Sequence, residues 1–257
     1  MDREFFRAAD AAKGHNDFVA QATGVCLSFG AQQVLDNVSL SIKPGKAVLL
    51  RGDNGSGKSS LLNIISGFLR PDKGQIHLRL NGSPVNVSTT SPERLARLGV
   101  GRLWQDIRLF PTMSVIENVL AATPRLLGQN PLMAMAAWPI SRRQERQARE
   151  RAHHHLYLMG MEDRDNSSGD KLSLGQMKRV ALARLLQGGA SLLLLDEPLA
   201  GLDQVSAASL LETLKMLRSK EGKTLLIVEH QHEKVSGLCD ETWYLSGGKL
   251  SFNGVHS

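Results

Sequence analysis

The sequence predicts an α/β protein: a mostly parallel sheet covered by helices, with antiparallel strands near the N-terminus and a helical segment inserted mid-chain. Two observations carry the parallel core. Short apolar runs at Ala47–Leu50, Leu192–Leu195 and Thr224–Val228 have the length and continuous apolarity of strands buried on both faces. Helical patterns over Gly175–Leu186 and Gln204–Leu217 alternate with the later two runs, as in a sheet built from crossover units. The third observation is a change of period. Val25–Phe29 and Val38–Ile42 alternate residue by residue as an antiparallel pair does, whereas from Ser114 to Pro139 the apolar residues fall into short stretches broken by Pro124, Gly128 and Pro131, which reads as a helical insertion.

In chain order, residues 1–20 show no clear periodicity and carry mixed charges, and read as an extension. The antiparallel pair follows, closed by the turn Lys43-Pro44-Gly45-Lys46, and leads into Ala47–Leu50. A turn at Arg70–Gly74 precedes a strand over Gln75–Leu80, and Asn81-Gly82 is a tight-turn pair. Leu98–Trp104 reads as a strand ending at Gln105. Ser141–Met159 reads as one helix, basic at first and apolar toward Leu156 and Leu158; with Glu145 and Glu150 set among its arginines, it reads as a solvated face rather than a nucleic-acid site. His153, His154 and His155 are consecutive, so on a helix they fan over different sides and do not converge on a metal. Val205, Ala208, Leu211, Leu214 and Leu217 are the expected apolar face of the last helical pattern, Gln204–Leu217, and Trp243–Leu250 reads as a closing hairpin.

Composition bounds the function classes. Of 257 residues 42% are hydrophobic and 22% charged, which fits a packed globular chain and excludes fibrous and disordered classes. No apolar run is long and uninterrupted enough to cross a bilayer, and the start of the chain, with Asp2, Glu4 and Asp10, has no apolar core of a secretory signal. Cys26 and Cys239 lie far apart, which supports neither a disulfide framework nor a metal knuckle. The net charge of +6 is compatible with a polyanion partner or with ordinary solvated cations, and does not choose between them.

Two motifs carry chemistry. Gly52-Asp53-Asn54-Gly55-Ser56-Gly57-Lys58-Ser59 fits G-x-x-x-x-G-K-[ST], between a strand and the helical pattern Ser60–Ile65. The glycines let backbone N–H groups turn inward on phosphates, and the helix N-terminus adds positive partial charge. Residues Gly52 through Ser60 are therefore the expected nucleotide cradle, with Lys58 on the β- and γ-phosphates and the Ser59 hydroxyl on Mg²⁺. The second motif is Leu192-Leu193-Leu194-Leu195-Asp196-Glu197-Pro198, a buried strand ending in two carboxylates. Asp196 is placed to hold the Mg²⁺ shell, and Glu197 to polarise a water at the γ-phosphate.

With these motifs, Leu172-Ser173-Leu174-Gly175-Gln176, Ala200-Gly201-Leu202-Asp203 and Val228-Glu229-His230, the chain resembles an ATP-binding cassette (ABC) nucleotide-binding domain over about residues 21–250. The resemblance implies a P-loop ATPase unit at 21–257, with core segments 21–104 and 176–257 and a helical segment 105–175. It implies that Ser173, Gly175 and Gln176 form the family's signature and meet the γ-phosphate of a second cassette, Leu174 standing where the family has its first glycine. It implies further that Gln105 touches metal and attacking water, that Asp203 crosses the dimer interface, that His230 hydrogen-bonds the γ-phosphate, and that Phe29 stacks on adenine. The segment Trp104–Val119 is similar to ATPases of branched-chain amino-acid and urea importers. The implied protein is a subunit binding ATP and Mg²⁺, paired with a second ATPase subunit and separate permease subunits at the cytoplasmic membrane face. The surface of Leu109, Phe110 and Met113 is then the expected permease contact, and no direct nucleic-acid partner is expected. The alternative is a soluble ABC ATPase acting on nucleic acid or ribosomes, but the double cassette or long coiled-coil insertion of those ATPases does not appear in the sequence.

Overall fold

The computed structural model describes residues 18–80, 82–124, 138–230 and 232–255. The first sheet is antiparallel and built from β1 (Ala20–Phe29), β2 (Gln32–Ile42), β4 (Lys73–Leu80) and β5 (Ser83–Asn86) in the order β2-β1-β4-β5. The sequence paired only β1 with β2; in the structure β4 flanks the other side of β1, with Ala20 opposite both Ile42 and Leu78. Phe18 and Val19, assigned to the extension, already belong here: Phe18 is buried under the Arg79 guanidinium and the Val19 N–H donates to Ile42 O at 2.7 Å.

The second sheet has the order β10-β9-β3-β8-β7-β6, from β3 (Ala47–Arg51), β6 (Val100–Leu103), β7 (Leu192–Asp196), β8 (Thr224–Val228), β9 (Glu241–Ser246) and β10 (Lys249–Val255). Every pairing from β9 through β6 is parallel, and β10 closes the edge as an antiparallel hairpin with β9. Alternation along the strands divides their side chains between two cores. Leu192 and Leu194 join Val48, Leu50, Leu226 and Val228 on the face toward the first sheet, where helix α1 (Lys58–Ile65) adds Leu61, Leu62, Ile64 and Ile65. Leu193 and Leu195 join Leu49, Leu225 and Ile227 on the other face, covered by α3 (Val115–Leu120), α4 (Trp138–Leu158), α5 (Leu174–Gln187) and α6 (Gln204–Ser219). Burial on both faces is why these strands carry no polar alternation, and each fully buried leucine contributes about 1.5–3 kcal/mol relative to exposure.

Two local expectations need correcting. Val205 and Ala208 are exposed, and the buried face of α6 is carried by Ala207, Leu210, Leu214 and Leu217. A ladder spaced strictly by three residues drifts off a face of 3.6-residue turns, whereas the observed spacing of three, four and three stays on it. Asp203 fixes the phase by capping the helix, accepting from Ser206 N–H at 2.9 Å. Helix α2 (Pro92–Leu98) was not anticipated; Ser91 caps it, Pro92 starts it and Gly99, at φ 117°, ends it, but only Leu95 of its residues is buried. The tight turn at Asn81 and the middle of the expected insertion, residues 125–137, lie outside the described residues. On α4 the consecutive histidines diverge: His153 approaches Asp165 (3.8 Å), while His155 meets Gln187 (3.1 Å), and burial lowers its pKa.

Candidate functional site

The loop between β3 and α1 is shaped by glycine. A Cβ at Gly52 (φ 148°) would lie 2.1 Å from Leu245 O and 2.7 Å from Ser56 Oγ, so no larger residue fits. Gly57 (φ 100°) caps α1 without a side-chain hydrogen bond, and the first turn contains no acidic residue, so its N–H donors remain suited to an anion. Lys58 donates from Nζ to Gly52 O and Asp53 O, both at 2.7 Å, which folds the ammonium beneath the loop. Burial lowers its pKa, and the nearby charges of Glu197, Asp53 and Asp196 oppose that shift. Asn54 on the loop and Ser59 in the first turn of α1 are exposed, and Ser56 Oγ is buried without a protein partner.

Phe29, Val34, Gly55 through Ser60, Glu197, Val228 and His230 line one open cleft of about 280 Å³. Phe29, at the end of β1, is 53% exposed there, as a side chain offering a ring face must be. Across the cleft, β7 ends at Asp196 and the chain turns at Glu197 with φ 49°, a left-handed conformation that costs a non-glycine residue roughly 1–2 kcal/mol. Two contacts hold that turn. The Glu197 N–H donates to Val228 O at 2.9 Å, and the buried Lys178 Nζ donates to the carbonyls of Glu197, Pro198 and Ala200 at 3.1, 2.8 and 2.7 Å. The Glu197 carboxylate is thereby set between two donors: Gln105 Nε2 reaches Oε2 at 3.0 Å and His230 Nε2 lies 3.1 Å from Oε1. Glu229, the residue before His230, is buried and accepts from Leu199 N–H (3.1 Å) and His230 N–H (2.9 Å), which ties the β8 end carrying His230 to the turn carrying Glu197.

The signature residues lie elsewhere on the chain. Ser173 and Gln176 form a reciprocal cap at the start of α5: Ser173 N–H donates to Gln176 Oε1 (3.0 Å) and Gln176 N–H to Ser173 Oγ (3.3 Å). Together with Gly175, Arg164, Arg179 and Ser206 they line a second cleft of about 340 Å³ that contains no residue of the phosphate loop. Asp203 caps α6 on that side. Leu174, in the first turn of α5, packs over Gly201, where a Cβ would come within 2.8 Å of its Cδ2.

Three contributors were missed from sequence: Arg102, Lys178 and Asn118. Each is a polar residue at a core-facing position of an apolar pattern, and that conflict was the available signal. Lys178 follows Gly175 by three residues on the buried face of α5. Asn118, buried in α3, accepts from Phe110 N–H at 2.8 Å and donates to the carbonyls of Phe110, Met113 and Ser114, fixing the loop that presents Phe110 and Met113. Of the three residues expected on that surface, Phe110 and Met113 are exposed at 47% and 38%, while Leu109 is half-buried against the second core.

LivG of Salmonella typhimurium, named as a high-affinity branched-chain amino acid transport ATP-binding protein, is 33% identical over 235 residues, which cover 90% of this chain and 89% of that protein. The structure of cbiO1 from Clostridium perfringens, described as part of the ABC transporter complex cbiONQ, superposes with a TM-score of 0.79 at 26% identity, covering 93% of this chain and 89% of that one. A dimeric ATP-binding cassette bound to ADP and phosphate superposes at 0.72 and 26% identity, covering 93% and 99%. The sequence profile described as ABC transporter matches residues 35–200, and with the cleft and the second, separate signature face described above it establishes that the chain belongs to the ABC transporter family.

Proposed function

We propose that this chain is the ATP-binding and ATP-hydrolysing subunit of an importer of the branched-chain amino-acid type, working as one of two paired cassettes on separate permease subunits. The observation that carries the catalytic part is the Glu197 carboxylate held between Gln105 and His230 at the mouth of the phosphate-loop cleft. A carboxylate oxygen has two lone-pair sites, so each can accept one of these donors and still accept a proton from a water attacking the γ-phosphate. His230 and Gln105 then orient the base, and Lys58 moves from loop carbonyls to phosphate oxygens.

Mg²⁺ fits the donor set: Ser59, Asp196 and Gln105 offer hard oxygens, and a site built on one carboxylate plus phosphates is characteristic of this ion. When bound there it would supply charge neutralisation of the β- and γ-phosphates. The adenine is assigned to Phe29. The signature residues Ser173, Gly175 and Gln176, with Asp203 beside them, are assigned to the ATP of the second cassette, a reading supported by their separation from the phosphate loop in one chain and by the dimeric relative. Lys58→Ala should weaken ATP binding about tenfold or more, the worth of one or two charge-assisted hydrogen bonds. Titration with a fluorescent ATP analogue measures it, and unchanged affinity would remove Lys58 from the phosphate site.

The helical segment 105–175 is proposed as the lobe that reaches the permease, placing the subunit peripherally on the cytoplasmic membrane face; among the described residues no helix is long and apolar enough to cross a membrane. Phe110 and Met113 supply the contact. They are large apolar side chains held out by Asn118 on the loop that follows Gln105, and burying them against a partner helix removes that surface from water. Phe110→Asp should leave the isolated chain folded, with ATPase activity within about twofold of wild type, and abolish substrate uptake in reconstituted transporter, because an unpaired carboxylate in an apolar interface is strongly unfavourable. Full uptake by that variant would place the permease contact elsewhere.

A further inference from the structure

Arg102 is a nearly buried cation at a place where the nucleotide reading calls for a different one. Its Nη2 donates to Asp196 Oδ2 at 2.9 Å and its Nη1 lies 3.5 Å from Ser66 Oγ, while Nε is buried without a protein partner. Side-chain exposure is 5% for Arg102 and 10% for Asp196, so little solvent screens the pair. The guanidinium carbon lies 4.4 Å from the centroid of the Trp104 ring, which Phe68 meets edge-on with centroids 5.0 Å apart. Trp104 adjoins Gln105, whose amide holds Glu197. One chain of contacts thus runs from the carboxylate assigned to Mg²⁺, through a guanidinium, to the aromatic residue beside the water-positioning glutamine.

Asp196 has a single negative charge, and Arg102 already compensates it through Oδ2. A divalent cation drawn to the same carboxylate meets a fixed positive charge a few ångströms away in a weakly screened site, and that repulsion must be overcome or relieved. We propose that Arg102 is a positioning residue that competes with Mg²⁺ for Asp196, sets the Mg²⁺ concentration the nucleotide site requires, and signals loading by a shift of its guanidinium against Trp104. The inference rests on the assignment of Asp196 to Mg²⁺. It adds to that assignment a local counter-cation: the site tolerates Asp196 without metal because Arg102 holds it, and Trp104 registers which cation does so.

The test uses the full chain, measuring ADP affinity by calorimetry at a series of fixed Mg²⁺ concentrations and following tryptophan emission as the ADP-bound chain is titrated with Mg²⁺, with Trp104→Phe identifying the Trp104 signal. Wild type should gain nucleotide affinity with Mg²⁺ and show an emission change that Trp104→Phe loses. Arg102→Gln keeps a hydrogen-bond donor but removes the charge, and its Mg²⁺ midpoint should fall roughly three- to tenfold. Arg102→Lys keeps the charge, and its midpoint should stay within about twofold of wild type. A folded Arg102→Gln whose midpoint equals or exceeds that of wild type overturns the competition. Should Arg102→Gln fail to fold, the wild-type titration decides: Mg²⁺ that raises nucleotide affinity without altering Trp104 emission refutes the role of Arg102 and leaves the assignment of Asp196 standing. Mg²⁺ that changes neither quantity in wild type refutes the assignment itself.

Discussion

Glu197→Gln should lower ATP turnover by at least about a hundredfold, within the range that removal of a general base produces, while ATP affinity stays within about twofold of wild type. The geometry separates the two effects. Gln105 and His230 each contact one oxygen of the Glu197 carboxylate; a glutamine in its place can still accept from His230 and, with the Gln105 amide turned over, donate to the Gln105 oxygen. The charge that accepts the water's proton is lost, but the phosphate loop and Lys58 are untouched. On the proposed pairing, closure of two cassettes precedes the blocked step, so the variant should also accumulate as an ATP-bound dimer, seen as an earlier gel-filtration peak with ATP than without. Near-normal hydrolysis would transfer the base role away from Glu197; a monomer at saturating ATP would count against pairing of the isolated chain.

Much of this site was legible in the sequence because its chemistry depends on short local strings whose flanks have strong patterns. The phosphate loop is read from glycines that the structure requires, Gly52 above all, and from the apolar strand and helix on either side. Four leucines followed by Asp196-Glu197 fix a strand end whichever way the rest of the chain folds. What stayed hidden depends on which core a side chain enters. Arg102 and Lys178 read as ordinary cations until β6 and α5 are placed, and then both prove to be buried against the turn that carries the carboxylates. The left-handed conformation of Glu197 had no sequence signal either; a glycine there would have announced the turn, but the proposed base role calls for a carboxylate, and Lys178 with Val228 holds the strained backbone instead. Phase was the other loss: Leu214 and Leu217 were placed correctly on α6, but Val205 and Ala208 were not, because a three-residue ladder and a true helical face share only part of their length.

Gly175→Asp should abolish hydrolysis, by about a hundredfold or more, while nucleotide binding to the monomer stays near wild type. The reason lies in the separation of the two clefts. Gly175 stands at the start of α5 beside Ser173 and Gln176, in a cleft that shares no residue with the phosphate loop of its own chain, so a change there leaves the chain's own ATP contacts in place. On the proposed pairing, a carboxylate at this helix N-terminus would face the γ-phosphate of the second cassette, replacing attraction by N–H donors with like-charge repulsion at close range. It would also crowd Ser206, whose Cβ lies 3.3 Å from where a Cβ at 175 would be. Leu174→Gly is the contrasting variant. Leu174 has ordinary helical backbone and directs its side chain onto Gly201, so glycine there removes packing and adds up to about 1 kcal/mol of helix cost without removing a phosphate donor. Its turnover should change only a few-fold. A large rise in turnover instead would mean that the contact of Leu174 on Gly201 holds this signature in a slow state, as in a pair of unlike cassettes where this chain contributes the weaker of the two signatures. Equal loss of monomer nucleotide binding in Gly175→Asp would mean that the signature acts on its own chain's ATP, and the two-cassette arrangement would fail.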